Sequence, residues 1–425
     1  MVKPRCLFVC TYSPLETEIK SGGLMLTKAN YTALAEFFDI TLMPTFKHKQ
    51  TIFDKGIRLV SVLFGFMGGN NFAFEQKWLT AIEELKPDLI FIDHSQLGRL
   101  AKLSRNNYLK NISKKEINII TSFQNIEPEY FKHSSSYPWL LRYLLSWVAA
   151  MNEQMAVDDS SFLLTLTQED SNLLQKRYGR SADIIIPITL ITDNKSEIAD
   201  SVVASAKADS IQTSNAIETA TAIESATLTT SVPSTTSVTD RANSINGHSF
   251  KSNSHAVISP SQSPYLLFCG SYFPPNREAV LWFVKEVLDS IHLDLLVVGY
   301  QMEKMRDLVS HPKLKIIGTV DDIAPYFNSA EAIINPVLRG AGMNTKSVEA
   351  MKYGKRLLAT SHALVGFPMP RPPGIIVCNN SNEFITVLKD LNQINNHEVE
   401  IKNYFEKYFH INSRINSLKK IVMKT

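Results

Sequence analysis

Short, unbroken apolar runs alternate with stretches of helical period through the first and last parts of the chain. Arg5 to Tyr12, Ile40 to Met43, Asp88 to His94, Ile117 to Thr121, Phe162 to Leu166 and Asp183 to Ile186 read as strands. Between them, Leu24 to Phe37 sets Leu26, Ala33, Leu34 and Phe37 near one helical face. Phe74 to Leu85 reads as a helix stopped by Pro87, and Trp139 to Val157 as a long helix. Strands that are apolar on both faces and separated by helices predict a parallel sheet covered on both sides.

The pattern resumes near Pro264. Strands are expected at Tyr265 to Cys269, Leu293 to Val298, Leu314 to Ile317, Ala332 to Pro336, Arg356 to Thr360 and Ile375 to Cys378. Asn276, after Pro274-Pro275, is expected to cap a helix whose apolar positions run from Val280 to Ile291. Ile323 to Asn328, Asn382 to Leu391 and Val399 to Val422 read as helical. In between, about Thr192 to Gln262 is dominated by Ser, Thr, Ala, Asn and Asp, with no aromatic residue from Gly179 through Ser249. Such a composition buries too little apolar surface to offset ordering entropy, so a disordered linker or insertion is expected.

A chain of 425 residues accommodates two or three domains. Its net charge of +3 offers no large electrostatic footprint for nucleic acid, and none is expected as a partner. The four cysteines are scattered, three of them in apolar runs, which fits core thiols in a reducing, cytoplasmic setting. Lys3 and Arg5 precede too short an apolar run for a signal peptide. The stretches Ile57 to Met67 and Trp139 to Val148 are too short to span a bilayer. Both are expected as buried helices, with peripheral contact at an inner-membrane face as the alternative.

Candidate chemistry centres on Gly340-Ala341-Gly342-Met343-Asn344-Thr345-Lys346-Ser347-Val348-Glu349, which lies between two strand-like runs. A glycine turn entering a helix frees backbone N–H groups that favour an anion such as a diphosphate. Lys346 adds positive charge in the first turn. Glu349, four residues after Thr345, sits one turn deeper on the same face and can accept from a sugar hydroxyl. A Lys346–Glu349 surface pair is the plainer alternative. The chain has no Asp-x-Asp, and the adjacent pairs Asp158-Asp159 and Asp321-Asp322 are poor joint ligands, so no metal is expected. His94 ends a buried-type strand, where parallel sheets tend to place functional groups.

Several motifs recur in a known order. Gly270-Ser271 with Pro275-Asn276, Val298-Gly299, Gly318-Thr319-Val320-Asp321-Asp322, Pro336 with Gly340-x-Gly342, Lys346 to Met351, Gly354-Lys355 and Ala359-Thr360-Ser361 follow one another. From about Leu267 to Phe367 the chain resembles the nucleotide-sugar-binding domain of GT-B glycosyltransferases of the family 4-like group. The first half resembles that family's acceptor domain through Ser21-Gly22-Gly23, Phe123 to Glu127, and Glu153 with Leu164 to Asp170.

The resemblance implies two Rossmann-like α/β domains facing a cleft. Residues 1–191 would form the acceptor domain and 192–262 the linker. Residues 263–394 would form the donor domain, and 395–425 would be helices crossing back to the first domain. It implies donor contacts from Gly22, Gly23, Gly270, Ser271, Gly318, Thr319, Val320, Gly340, Gly342, Met343, Asn344, Thr345, Lys346 and Glu349, with Arg339 and Lys346 neutralising the diphosphate. His94 and Glu127 are the candidate acid/base residues. Ala341 and Gln124 depart from the family, which often has Glu and His at these places.

The expected activity is transfer of a sugar from a nucleotide-diphosphate sugar to a carbohydrate or lipid-linked glycan hydroxyl. The resemblance implies a retaining reaction, with no cofactor and no metal, in surface polysaccharide or lipid-linked glycan synthesis. A GT-B nucleotide-sugar epimerase and a non-catalytic binding partner are the rivals.

Overall fold

The computed structural model describes residues 3–15, 22–46, 60–108, 117–133, 138–192, 263–340 and 342–423. The expected linker, apart from Thr192, lies outside these residues, as do Ser21, Ala341 and positions 57–59.

The first sheet holds β1 (Arg5–Cys10), β2 (Asp39–Pro44), β3 (Leu89–Ile92), β4 (Asn118–Phe123), β5 (Phe162–Thr165) and β6 (Ile184–Ile185), in the order β2-β1-β3-β4-β5-β6. The second holds β7 (Tyr265–Cys269), β8 (Asp294–Val298), β9 (Leu314–Gly318), β10 (Ala332–Asn335), β11 (Leu357–Ala359) and β12 (Ile375–Val377), in the order β12-β11-β10-β7-β8-β9. Every strand pair is parallel. Continuous apolar strands such as Leu89–Ile92 and Tyr265–Cys269 are buried at every position, as two-sided coverage requires.

Helices α1 (Gly22–Ala35), α2 (Phe72–Leu85), α3 (Gly98–Asn107), α4 (Glu127–His133), α5 (Trp139–Asp159) and α6 (Gln168–Tyr178) accompany the first sheet. Helices α7 (Pro274–Glu286), α8 (Ala324–Ser329), α9 (Thr345–Lys352) and α10 (Ser381–Lys389) accompany the second. The chain closes with α11 (Glu398–Tyr408) and α12 (Ile411–Val422). The sequence pattern did not mark α3 or α6. The start of α6 is fixed by Thr167, whose side chain accepts from the Asp170 N–H, and its end by Gly179 in left-handed conformation. Helix α3 packs so tightly on α5 that a Cβ on Gly98 would lie 1.9 Å from the Asn152 carbonyl oxygen.

Two expectations are corrected. Asn276 does not cap α7. That helix begins two residues earlier at Pro274, which suits a first turn because its missing N–H has no intrahelical partner there. Trp139 to Val148 is not a buried helix. Only one face of α5 packs inward, through Leu145, Val148 and Ala149, while Trp139, Leu140, Tyr143 and Trp147 face outward.

One apolar core joins the two halves: Leu26, Leu166 and Ile188 pack with Tyr265, Met343, Leu364 and Phe367. The last helices stitch the same seam. Ile401, Tyr404 and Phe405 of α11 pack with Met351 and Leu357 of the second half. Arg414 of α12 is fully buried and donates to Thr189 Oγ1 at 2.9 Å and to the Pro187 carbonyl at 2.7 Å. Its other guanidinium nitrogen donates to Asn30 Oδ1 on α1.

Candidate active site

In the second sheet the chain leaves β7 toward one edge and β10 toward the other. The carboxyl ends of these neighbours therefore flank the topological switch point, where a parallel sheet opens a crevice. Gly270-Ser271 follows β7, and the glycine loop leading into α9 follows β10. Lys346, in the first turn of α9, lies buried above the Phe268 ring. Its Nζ donates to Asn276 Oδ1 at 2.8 Å and Asn344 Oδ1 at 3.3 Å. Burial pulls its pKa down to about 8, against the opposing pull of Cys269 and Glu349.

Glu349, one turn further on, is half-buried and accepts from the Cys269 thiol at 3.8 Å. Burial raises its pKa, with Lys346 and Lys352 opposing. Asn276 thus holds the lysine rather than a helix end, and its amide donates to the Ser271 carbonyl at 2.9 Å. No side chain fits on Gly270, where a Cβ would come within 2.9 Å of Asn276 Nδ2 and 3.3 Å of Lys346 Cε.

The glycine segments of the two halves meet. A Cβ on Gly22, at the start of α1, would lie 3.0 Å from Thr345 Cγ2, and one on Gly23 would lie 3.0 Å from Gln124 Oε1. Gly342 has φ +73°, and a Cβ there would fall 2.5 Å from Asn125 Oδ1. Only glycine satisfies both the left-handed backbone and this approach. Beside the contact lies a cavity of about 610 Å³, lined by Asn125, Ile126, Glu129 and Tyr130 on one side and Glu278, Arg339, Gly340 and Gly342 on the other.

Some expected donor residues lie apart from this point. Arg339 is at the exposed rim, its Nε 2.7 Å from Glu278 Oε2, and that hydrogen bond holds the Glu278 carboxyl below its usual range. Met343 turns into the shared core, where its sulfur accepts from the Ile188 N–H at 3.4 Å. Asn344 precedes α9 without a side-chain cap. At the end of β9, the Thr319 N–H and hydroxyl both donate to Glu303 Oε2, at 3.1 and 3.2 Å. Gly318 has φ +88°, and Val320 packs against the core.

At the carboxyl ends of β3 and β4 lies a buried acidic cluster. Glu127 Oε2 accepts from Gln96 Nε2 at 2.7 Å, and Oε1 lies 3.5 Å from His94 Nε2. The Gln96 N–H donates to His94 Nδ1, so the neutral ring carries its proton on Nε2, toward Glu127. Burial lowers the His94 pKa to about 4 and raises that of Glu127 to about 7. Glu153, fully buried, accepts from the Glu127 N–H at 2.9 Å, Ser95 Oγ at 3.1 Å and Tyr178 OH at 2.8 Å, while burial lifts its pKa to about 8.

Asp93 was missed as a candidate, although it precedes His94 at a strand end. Its carboxyl accepts from Asn30 Nδ2 at 2.6 Å and from Gln124 Nε2 at 3.3 Å, and burial lifts its pKa to about 7. Thr27 Oγ1 lies within hydrogen-bond reach of both Asp93 and the Gly23 carbonyl, so its single proton serves one of them. A protonated Asp93 lets both contacts stand. Neither His94 nor Glu127 lines the cavity, whereas Asn125, Ile126 and Glu129 do.

Residues 263–393 match the family model described as glycosyl transferases group 1. That segment, about a third of the chain, is similar to group 1 glycosyltransferases. No curated protein is a significant sequence match to it. The chain shares its two-sheet fold with solved structures at low identity. It is similar to sucrose-phosphate synthase from Thermosynechococcus elongatus, with a TM-score of 0.60, 10% identity and 99% of each chain covered. It is also similar to Anabaena HepE in complex with UDP and glucose, with a TM-score of 0.57, 11% identity, and 99% of this chain and 100% of that one covered. The lipopolysaccharide outer core galactosyltransferase WaaB in its apo form aligns with a TM-score of 0.54 at 10% identity, with 99% of each chain covered. These likenesses establish the GT-B arrangement that the strand pattern and motif order predicted.

Proposed function

We propose that this chain is a glycosyltransferase that moves a sugar from a nucleotide-diphosphate donor to a hydroxyl of a carbohydrate or lipid-linked glycan, with retention and without a metal. The pathway would be surface polysaccharide or lipid-linked glycan synthesis, at the cytoplasmic side of a membrane. The observation that carries this reading is the meeting of two glycine segments, Gly22-Gly23 and Gly340 to Thr345, beside one cavity at the switch point of the second sheet.

A diphosphate there meets the N-terminus of α9 and the Lys346 ammonium, which stabilise the negative charge that builds on the leaving group. Glu349 accepts from ribose or sugar hydroxyls. The adjacent Gly270-Ser271 leaves backbone close to the phosphates, and Gly318 to Val320 borders the base. Arg339, once released from Glu278, adds a second cation. His94 and Glu127 act behind the cavity wall: their hydrogen bonds position the segment from Asn125 to Glu129 that faces the acceptor. The HepE structure, which holds UDP and glucose, supports a donor of this class.

The test is a thermal-shift series on the full chain with UDP, GDP and their sugars, because a ligand bound to the native state raises Tm by mass action. Glu349→Ala should weaken the best ligand at least tenfold and leave the circular dichroism unchanged. Equal binding and turnover in this variant would remove the site assignment. Transfer that survives EDTA and gives a product of unchanged anomeric configuration would support the metal-free, retaining part. Isomerised sugar without transfer would favour an epimerase.

A further inference from the structure

We propose that the outward face of α5, together with residues 60–64 and Phe72, rests on an anionic lipid bilayer and brings the cavity mouth to a bilayer-anchored acceptor. This deepens the proposed function and depends on it only for what the docking serves.

The first half of α5 is largely apolar on both sides. Leu145, Val148 and Ala149 pack inward, while Trp139, Tyr143 and Trp147 recur every fourth residue on the outside and are 61%, 60% and 59% exposed. Leu140 adds to this stripe at 65%. Among the described residues no helix is long and apolar enough to cross a membrane, so such a face lies on a bilayer rather than through it.

The helical turn at 60–63 extends the surface. Val62 and Met67 pack against Leu145 and Val148, and Asn152 Nδ2 donates to the Gly65 carbonyl at 3.0 Å, which fixes this turn to α5. Val60, Leu63, Phe64 and Phe72 then remain exposed, with the Phe64 and Phe72 rings 6.1 Å apart. An apolar surface of this kind on a water-soluble fold marks an interaction site.

Chemistry selects the occupant. Tryptophan and tyrosine with leucine and phenylalanine are the side chains that partition to the headgroup level of a bilayer. From Trp139 to Asn152 the only charged residue is Arg142, and exposed Lys132 stands on the neighbouring α4. Arg142 within the apolar stripe, with no carboxylate between Trp139 and Asn152, and Lys132 beside it complement anionic headgroups. The segment 193–262 is a poor cover, because it carries no aromatic residue before Phe250. The surface also reaches the cavity: Tyr130 packs with the Val62 and Leu145 cluster and lines the cavity beside Ile126.

The experiment is co-sedimentation of the full chain with vesicles of phosphatidylglycerol and phosphatidylethanolamine, and with vesicles of phosphatidylcholine alone. The wild type is compared with the triple variant Trp139→Ser, Tyr143→Ser, Trp147→Ser. The wild type should bind the anionic vesicles at least tenfold more tightly than the neutral ones, with a blue shift in tryptophan emission. The variant should lose at least tenfold of that binding while keeping its Tm and its nucleotide-induced thermal shift.

Absence of vesicle binding by the wild type overturns the proposal, and so does equal binding by the variant. Equal partition onto phosphatidylcholine overturns the anionic assignment. A wild-type dimer that the same substitutions convert to monomer assigns the face to a second copy instead. Failure of nucleotide binding with vesicle binding intact removes the proposed function alone.

Discussion

Affinity for a nucleoside diphosphate should fall as pH rises from 7 to 9, and Lys346 should be the reason. In the free protein, burial holds its pKa at about 8. A diphosphate placed beside it restores a strong anionic partner and returns the ammonium to its charged form well above that value. Binding therefore takes up a proton once the pH exceeds about 8, and affinity declines with rising pH, not with falling pH. With a free-protein pKa of about 8, the uncharged fraction is about one-tenth at pH 7 and about nine-tenths at pH 9. The loss is then about tenfold in Kd, about 1.4 kcal/mol.

Isothermal titration of UDP or GDP at pH 7, 8 and 9 and constant ionic strength measures this directly. Lys346→Met supplies the control. It should bind about tenfold or more weakly at pH 7, in line with about 1.5–3 kcal/mol for a hydrogen bond to a charged group. Its pH dependence should keep only what the base itself contributes by titrating. Equal pH slopes in the two proteins, or a flat wild-type profile, would refute a diphosphate seated on Lys346.

Other expectations follow from single contacts. Gly342→Ala puts a methyl group 2.5 Å from Asn125 Oδ1 at φ +73°, adding about 1–2 kcal/mol of backbone strain. Transfer rate should fall at least tenfold while Tm moves by only a few degrees, as scanning calorimetry would show. Gly98→Ala drives a Cβ to 1.9 Å from the Asn152 carbonyl, and urea titration should show a loss above about 3 kcal/mol or no soluble protein. Arg414→Met leaves Thr189, Asn30 and the Pro187 carbonyl without their donor, at a cost of about 3 kcal/mol in the same assay. Glu127→Gln should remove an inflection near pH 7 from the initial-rate profile, because burial places the Glu127 pKa there.

The legible part of the fold was its strand set. Buried parallel strands must be apolar on both faces, so runs such as Leu89–Ile92 and Ala332–Asn335 announce themselves without any partner. Helices α3 and α6 escaped because both are short and rich in polar residues: α3 buries only Leu100 and Ala101 among its apolar side chains, and α6 only Leu174. At the site, the glycine turn with Lys346 and Glu349 could be read locally. The partners that give those residues their character could not, since Asn276 and Cys269 lie about 70 and 80 positions away from them. The outward aromatic stripe of α5 was hidden for a related reason. Composition reports that a helix is apolar, but only packing reports which sides of it are covered.

The anchoring of Arg414 to Asn30 spans 384 positions. Domains ordinarily take shape as they leave the ribosome, the N-terminal one first. Here the first sheet has its strands early, yet the polar groups of Asn30, Thr189 and Pro187 wait for an arginine made hundreds of positions later. The nascent N-terminal half must persist as an unfinished intermediate until α12 has been made. A premature stop after α11 would strand it there, exposing the α1 surface that α12 normally covers to chaperones and proteases.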